Sequence, residues 1–145
     1  MAAGSQTDPQ LGPILPDVDV WLKAFSRQAP EPLIVHAFSR HVTDRRVLLR
    51  GWVRQGLLAR VRDERQFTRL SWLLGAYPDP RVLAADHERA ARIAREMRGR
   101  DLSLAPWPAL LWAVAERVGG AVWSQDRRWR AYAPHGCPLV EPPRA

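Results

Sequence analysis

With 145 residues, 46% of them hydrophobic, the chain suits one domain with a single core and is too apolar for wholesale disorder. Its formal net charge is +7, and all but Lys23 of its 22 basic residues are arginine, whose planar fork of donors suits phosphate, so RNA is the polyanion expected. The one cysteine, Cys137, excludes an intrachain disulfide and a cysteine-based metal site, which fits a reducing cytoplasm.

Met1 to Pro13 reads as a flexible tail without a basic-then-apolar signal pattern. Ile14-Leu15-Pro16 is a short buried strand that ends in Asp17. Val18, Trp21, Leu22 and Phe25 follow at once with helical spacing. In open α/β sheets ligands bind beyond the carboxyl ends of the strands, which is where Asp17 falls. Asp19 sits in the first helical turn, as a cap or as part of a charged site.

Pro30-Glu31-Pro32 breaks the chain before a second helix face of Leu33, Ile34, Ala37 and Phe38. Val47-Leu48-Leu49 is a candidate strand. Trp52, Val53, Leu57 and Val61 mark a third helix, and Phe67, Leu70, Leu73, Leu74 and Tyr77 a fourth. Arg60, Arg62, Arg65 and Arg69 form a solvated helix face. Arg81-Val82-Leu83-Ala84 reads as a weak strand, with Asp86 capping the helix of Ala90, Ile93, Ala94 and Met97 that Gly99 stops.

The next helix carries the stripe Trp107, Leu110, Leu111, Val114 and Val118, with Pro106 and Pro108 tolerated at its start. That periodicity puts Trp107 in the core. Trp112 lies off the stripe, either under a neighbouring helix or over a dimer face. Ala121-Val122-Trp123 is a strand ending at Ser124-Gln125-Asp126. Trp129 and Tyr132 suggest a short helix, and Pro138-Leu139-Val140 a final edge strand.

Strands alternating with helices imply a parallel sheet covered on both faces, in one domain over 14–140 with a proline-rich end at 141–145. The longest apolar run, around Ala105 to Ala115, is too short to span a bilayer, so a soluble cytoplasmic protein with no membrane role is expected. His36, His41, His87 and His135 show no metal-ligand spacing.

Asp17 and Asp126 both end strands. If those strands are neighbours, the two carboxylates converge, and like charges recruit a cation or raise one pKa. An oxygen-only site selects Mg²⁺ or Mn²⁺. Ser124 stands two residues before Asp126, in reach of a ligand or water. Arg50 and Arg54, which precede Gly56, and Arg127 and Arg128, which follow Asp126, are the arginines expected to meet RNA.

The residues in order resemble the PIN-domain ribonucleases, in particular the VapC toxins of toxin–antitoxin pairs. Pro16-Asp17-Val18-Asp19-Val20-Trp21-Leu22 resembles their opening acid motif, with Asp19 in the small polar slot. Val53-Arg54-Gln55-Gly56-Leu57-Leu58 resembles the second motif, and the run from Leu102 to Ala115 the third. The run from Gly119 to Trp129 resembles the fourth, strand then Ser-x-Asp. The resemblance implies a three-layer α/β/α fold with a short central parallel sheet. It also implies Mg²⁺-dependent RNA cleavage, with Asp17, Asp19 and Asp126 as metal ligands, and Asp17 and Asp126 as the catalytic pair. Two family acids are replaced, by Gly56 and Pro108, neither of which offers a side-chain oxygen. Losing one such contributor commonly costs about 10²–10⁴-fold, so impaired catalysis is expected, with function through binding of RNA or protein. The partners this implies are RNA, an antitoxin-like protein and a second copy of the chain. The alternative is an active VapC-type endoribonuclease using Asp17, Asp19 and Asp126.

Overall fold

The computed structural model describes residues 12–28 and 31–141. Strand β1 spans Ile14–Pro16 and β2 Ala121–Trp123, and they pair in parallel, with Leu15 opposite Val122. Single parallel bridges extend the pair on either side, Ile14 to Val47 and Val122 to Leu139. The expected strands at Val47–Leu49 and Pro138–Val140 are therefore one-residue bridges at the edges of the sheet.

Six helices surround this sheet among the described residues: α1 (Val18–Ala24), α2 (Pro32–Thr43), α3 (Gly51–Leu58), α4 (Glu64–Leu74), α5 (Ala84–Arg98) and α6 (Pro106–Arg117). Successive residues of a strand point to opposite faces. Leu15 and Val122 accordingly join α5 and α6 in one apolar cluster, with Ile93, Met97, Leu111 and Val114. Ile14 and Trp123 join α1, α2 and α3 in a second, with Val20, Trp21, Phe38 and Val53. Helices on both faces of a parallel sheet make the architecture three-layer α/β/α, the fold expected from the sequence, although its core is split in two by the sheet.

Helix α6 is buried at every residue from Ala109 to Ala115. A helix apolar all round is a buried helix, which settles Trp112 at 2% exposure against Tyr132. Trp107, at the head of the expected core stripe, is instead 60% exposed. It stands in the first turn, before the helix passes under its neighbours. The expected strand at Arg81–Ala84 is absent: Leu83 is the N-cap of α5 and Ala84 its first residue. Asp86 is accordingly inside the helix, accepting the Leu83 backbone N–H at 2.8 Å.

The expected tail over Met1 to Leu11 lies outside the described residues, as does the chain beyond Glu141. Gly12 and Pro13, placed in that tail by the sequence, are built into the fold. Gly12 O accepts from Arg46 Nε, and Pro13 O from Ala121 N. A Cβ at Gly12 would stand 2.0 Å from Gly119 O, and one at Gly120 2.4 Å from Pro13 O, so only glycine lets these two segments run side by side. No helix among the described residues is long and apolar enough to cross a membrane.

Candidate functional site

The parallel pairing of β1 and β2 brings the two strand ends together. Asp17 N–H donates to Trp123 O at 2.8 Å, one step past the last strand pair. Asp17 then caps α1, its Oδ1 accepting the Val18 N–H at 2.8 Å. Asp19, expected from the sequence as a cap or a ligand, ties the first turn of α1 to the segment that leaves β2. Its Oδ1 accepts Val20 N–H, and its Oδ2 accepts Ser124 Oγ at 3.0 Å and Gln125 N–H at 2.7 Å. Ser124 Oγ in turn accepts the Asp126 N–H at 3.1 Å. The sequence thus locates Asp17, Asp19, Ser124 and Asp126 at one edge of the sheet.

Their roles differ. Both oxygens of Asp126 are engaged by Arg128, with Nη2 donating to Oδ2 at 2.6 Å. The Arg128 bonds, outweighing burial, hold the Asp126 carboxyl below the usual carboxylate range. Asp17 moves the other way. Burial raises its pKa most, the Val18 N–H bond opposes, and the charges of Asp19 and Asp126 raise it further.

Asp17 lines a cleft of about 420 Å³ between α3 and the start of α6. Gly56 and Pro108, where the family resemblance expects acids, line the same cleft, with Val18, Ala59 and Leu111. Three of the four positions that the resemblance singles out therefore share one cleft. At Gly56 the helices α1 and α3 are close: a Cβ there would meet Val18 Cγ2 at 3.3 Å. Trp52 lies one helical turn before Gly56 on the same face of α3, and Trp107 immediately before Pro108. Both line the cleft, their ring centroids 5.6 Å apart at 34°. This tryptophan pair and Gln55 were missed by sequence reasoning. The signal was present, since each of the three stands within a resembled motif or close beside one.

The arginines expected to meet RNA divide. Arg50 is 3% exposed, its guanidinium bonded to Asp79 and the Pro80 carbonyl and lying 5.1 Å from the Trp52 ring centre. It is buried, and its charge is already paired inside the fold. Arg54 is half-buried and Arg127 exposed, and Arg128 is exposed but committed to Asp126.

A Mg²⁺ or Mn²⁺ ion of the kind the family resemblance implies does not fit this donor set. Asp126 accepts three donors of Arg128, and Asp19 accepts Val20 N–H, Ser124 Oγ and Gln125 N–H, so few lone pairs are left on either for an ion, and Gly56 and Pro108 have no side-chain oxygen to give. Among the described residues no group of three acid, histidine or cysteine side chains is arranged to hold a metal ion.

Strand pair, covering helices and the acid at the strand ends define a PIN-like α/β/α domain. Solved structures similar to it are a chain of FitAcB from Neisseria gonorrhoeae, 17% identical over 89% of this chain and 97% of that one with a TM-score of 0.66, and a chain of FitAB bound to the IR36 DNA fragment, 15% identical over 91% and 96% with a TM-score of 0.72. At that identity the likeness is one of fold. No protein-family model and no curated protein sequence matches the chain.

Proposed function

We propose that this protein is a PIN-like chain of the toxin–antitoxin kind that has lost its metal centre and binds single-stranded RNA without efficient cleavage. The observation that carries this reading is the composition of the cleft. Asp17, Gly56 and Pro108 line it together, and of these only Asp17 brings a side-chain oxygen. The fourth acid, Asp126, is neutralised by Arg128. A metal that must hold water and phosphate in line for attack needs several fixed oxygens, and one carboxylate does not supply them. VapC-like ribonuclease activity is, on this reading, the ancestral function.

The toxin–antitoxin assignment is supported by the fold shared with FitAcB and FitAB, and an antitoxin-like protein partner comes with it. Apolar side chains left open on α1 and α4 offer such a partner a surface: Leu22, Phe67 and Leu73 are each more than a third exposed, and Trp72 is 78% exposed. RNA binding is supported by the net charge of +7, carried almost wholly by arginine. Arg54 and Arg127 are the site arginines not bound to an acid within the fold.

The test is fluorescence anisotropy of labelled single-stranded RNA across salt, beside a cleavage assay with Mn²⁺ and an Asp17→Asn control. The expected result is binding whose log–log salt slope is about −0.7 per phosphate contact, with no metal-dependent products. Robust Mn²⁺-dependent cleavage abolished by Asp17→Asn would instead establish the endoribonuclease reading with Asp17, Asp19 and Asp126. Absence of binding at low salt would leave the arginines as solvated faces.

A further inference from the structure

We propose that the Trp52–Trp107 cleft reads a single unpaired base, guanine, which stacks on Trp107 and presents its N1–H and N2–H donors to the carboxylate of Asp17. The inference rests on the RNA-binding reading above and names the feature of the RNA that is recognised.

Trp107 supplies the platform. It is 60% exposed, whereas the body of the same helix is wholly buried. Its ring is held in place by Trp52, whose own ring is flanked by the Arg50 guanidinium, and Arg50 is pinned by Asp79 and the Pro80 carbonyl. The stack is therefore built before any ligand arrives, so little ordering is needed on binding. Base–aromatic stacking of this kind is the common currency of single-strand recognition.

The cleft has the size and walls for one base. About 420 Å³ lies within the roughly 300–1,000 Å³ typical of small-molecule sites. With Gly56 and Pro108 in place its walls are mostly apolar. Its polar side chains are Gln55, which can donate or accept, and Asp17, which as a carboxylate only accepts. Among the described residues Asp17 accepts one side-chain-directed bond, from Val18 N–H to Oδ1, so Oδ1 keeps one lone pair and Oδ2 both, and each oxygen can still accept a donor. On their pairing edges adenine and cytosine set an amino group beside an acceptor nitrogen, which faces a carboxylate badly. Uracil offers one N–H between two carbonyls. Guanine offers two adjacent N–H donors, matching the two oxygens of a carboxylate.

The experiment is a titration of the full-length protein with GMP, AMP, CMP, UMP and xanthosine monophosphate, followed by tryptophan fluorescence. In parallel, anisotropy is measured with guanine-containing and guanine-free RNA. GMP should quench saturably and bind about tenfold or more tighter than the other three common nucleotides. Asp17→Asn should reverse the preference toward xanthosine monophosphate, because an amide pairs one donor and one acceptor with the xanthine 2-oxo group and N1–H. Asparagine is as good an N-cap as aspartate, so the fold should survive this change. Trp107→Ala, at an exposed position, should weaken every nucleotide alike. No preference among nucleotides, or a preference unmoved by Asp17→Asn, overturns the inference. Salt-dependent RNA binding indifferent to guanine and to Trp107→Ala overturns it while the RNA-binding reading stands. GMP binding that follows the expected pattern without RNA binding at low salt supports the pocket and overturns that reading.

Discussion

Ser124 Oγ donates a 3.0 Å hydrogen bond to Asp19 Oδ2 across 105 residues of sequence. The same oxygen accepts Gln125 N–H at 2.7 Å. The first turn of α1 is thereby fastened to the segment that leaves β2, and an acid that the ribonuclease resemblance assigns to a metal is used as a staple.

Removing the staple should destabilise the fold. Asp19→Ala takes the acceptor from Ser124 Oγ and Gln125 N–H, while Val20 N–H keeps the Asp17 carbonyl, and should cost about 1–3 kcal/mol, with Ser124→Ala costing about 1 kcal/mol. Asp19→Asn, which keeps one acceptor oxygen, should lose less than the alanine variant. Urea unfolding curves decide this. An Asp19→Ala midpoint equal to that of the unmodified protein would show the contact to be without energetic weight.

Asp17 should be held at a cost to stability. Burial is the main cause of its raised pKa, opposed by the Val18 N–H bond and reinforced by Asp19 and Asp126. Between the unfolded and folded pKa values the native state binds more protons than the unfolded chain, so stability falls as pH rises through that window. Asp17→Asn keeps the cap and removes the buried charge. Its melting temperature should exceed that of the unmodified protein at pH 7. The gain should vanish below the ordinary aspartate pKa of about 3.9. A pH-independent difference between the two would mean that charge is not the cause.

Asp86 should behave in the opposite sense. It is 2% exposed, and it accepts Arg117 Nε at 2.7 Å and Leu83 N–H at 2.8 Å. Burial alone would raise its pKa. The Arg117 and Leu83 bonds, with the charges of Arg117 and Arg50, outweigh burial and lower it. A folded pKa below the unfolded one gives stability that is present above the unfolded value and lost as pH falls through the folded one. Asp86→Ala should therefore cost about 2–4 kcal/mol near neutrality, short of the full cost of a broken buried pair because Arg117 can reach water. Its stability should also fall less steeply with acid. Chemical denaturation at pH 7 and pH 3 measures both effects.

Metal binding should be weak, and recoverable by design. Mg²⁺ gives up its waters reluctantly and is held by one or two carboxylates, so Asp17 alone should bind Mg²⁺ or Mn²⁺ loosely. Gly56→Glu with Pro108→Asp should raise Mn²⁺ affinity about tenfold or more. Because a Cβ at Gly56 meets Val18 Cγ2 at 3.3 Å, Val18→Ala should be included to make room. Calorimetric titration with Mn²⁺ of both proteins checks this, and equal affinities would show that the missing acids were overvalued.

Much of this arrangement was legible along the chain. Apolar Ile14 and Leu15 followed by helical spacing from Val18 marked the strand-to-helix passage at Asp17, because each side of that boundary is a local periodicity. The same was true at Val122 and Asp126, and placing these two acids at one sheet edge needed only the rule that such strands run parallel. The helix stripes at Ile34 and Phe38 and at Ile93 and Met97 are core as read.

What the tertiary structure alone decided was which charges and rings were already taken. Folding sets Asp79 and the Pro80 carbonyl around Arg50, and it sets Arg128 against Asp126. Trp107, read as core, is exposed because it stands in the first turn of α6, and Trp112 is buried, one of the two places its position off the stripe left open, because α6 is covered on all sides beyond that turn. The cleft itself joins α1, α3 and α6. Its chemistry depends on Trp52 meeting Trp107 across 55 positions of sequence, and burial and pairing between distant segments are set by packing, of which local periodicity keeps no record.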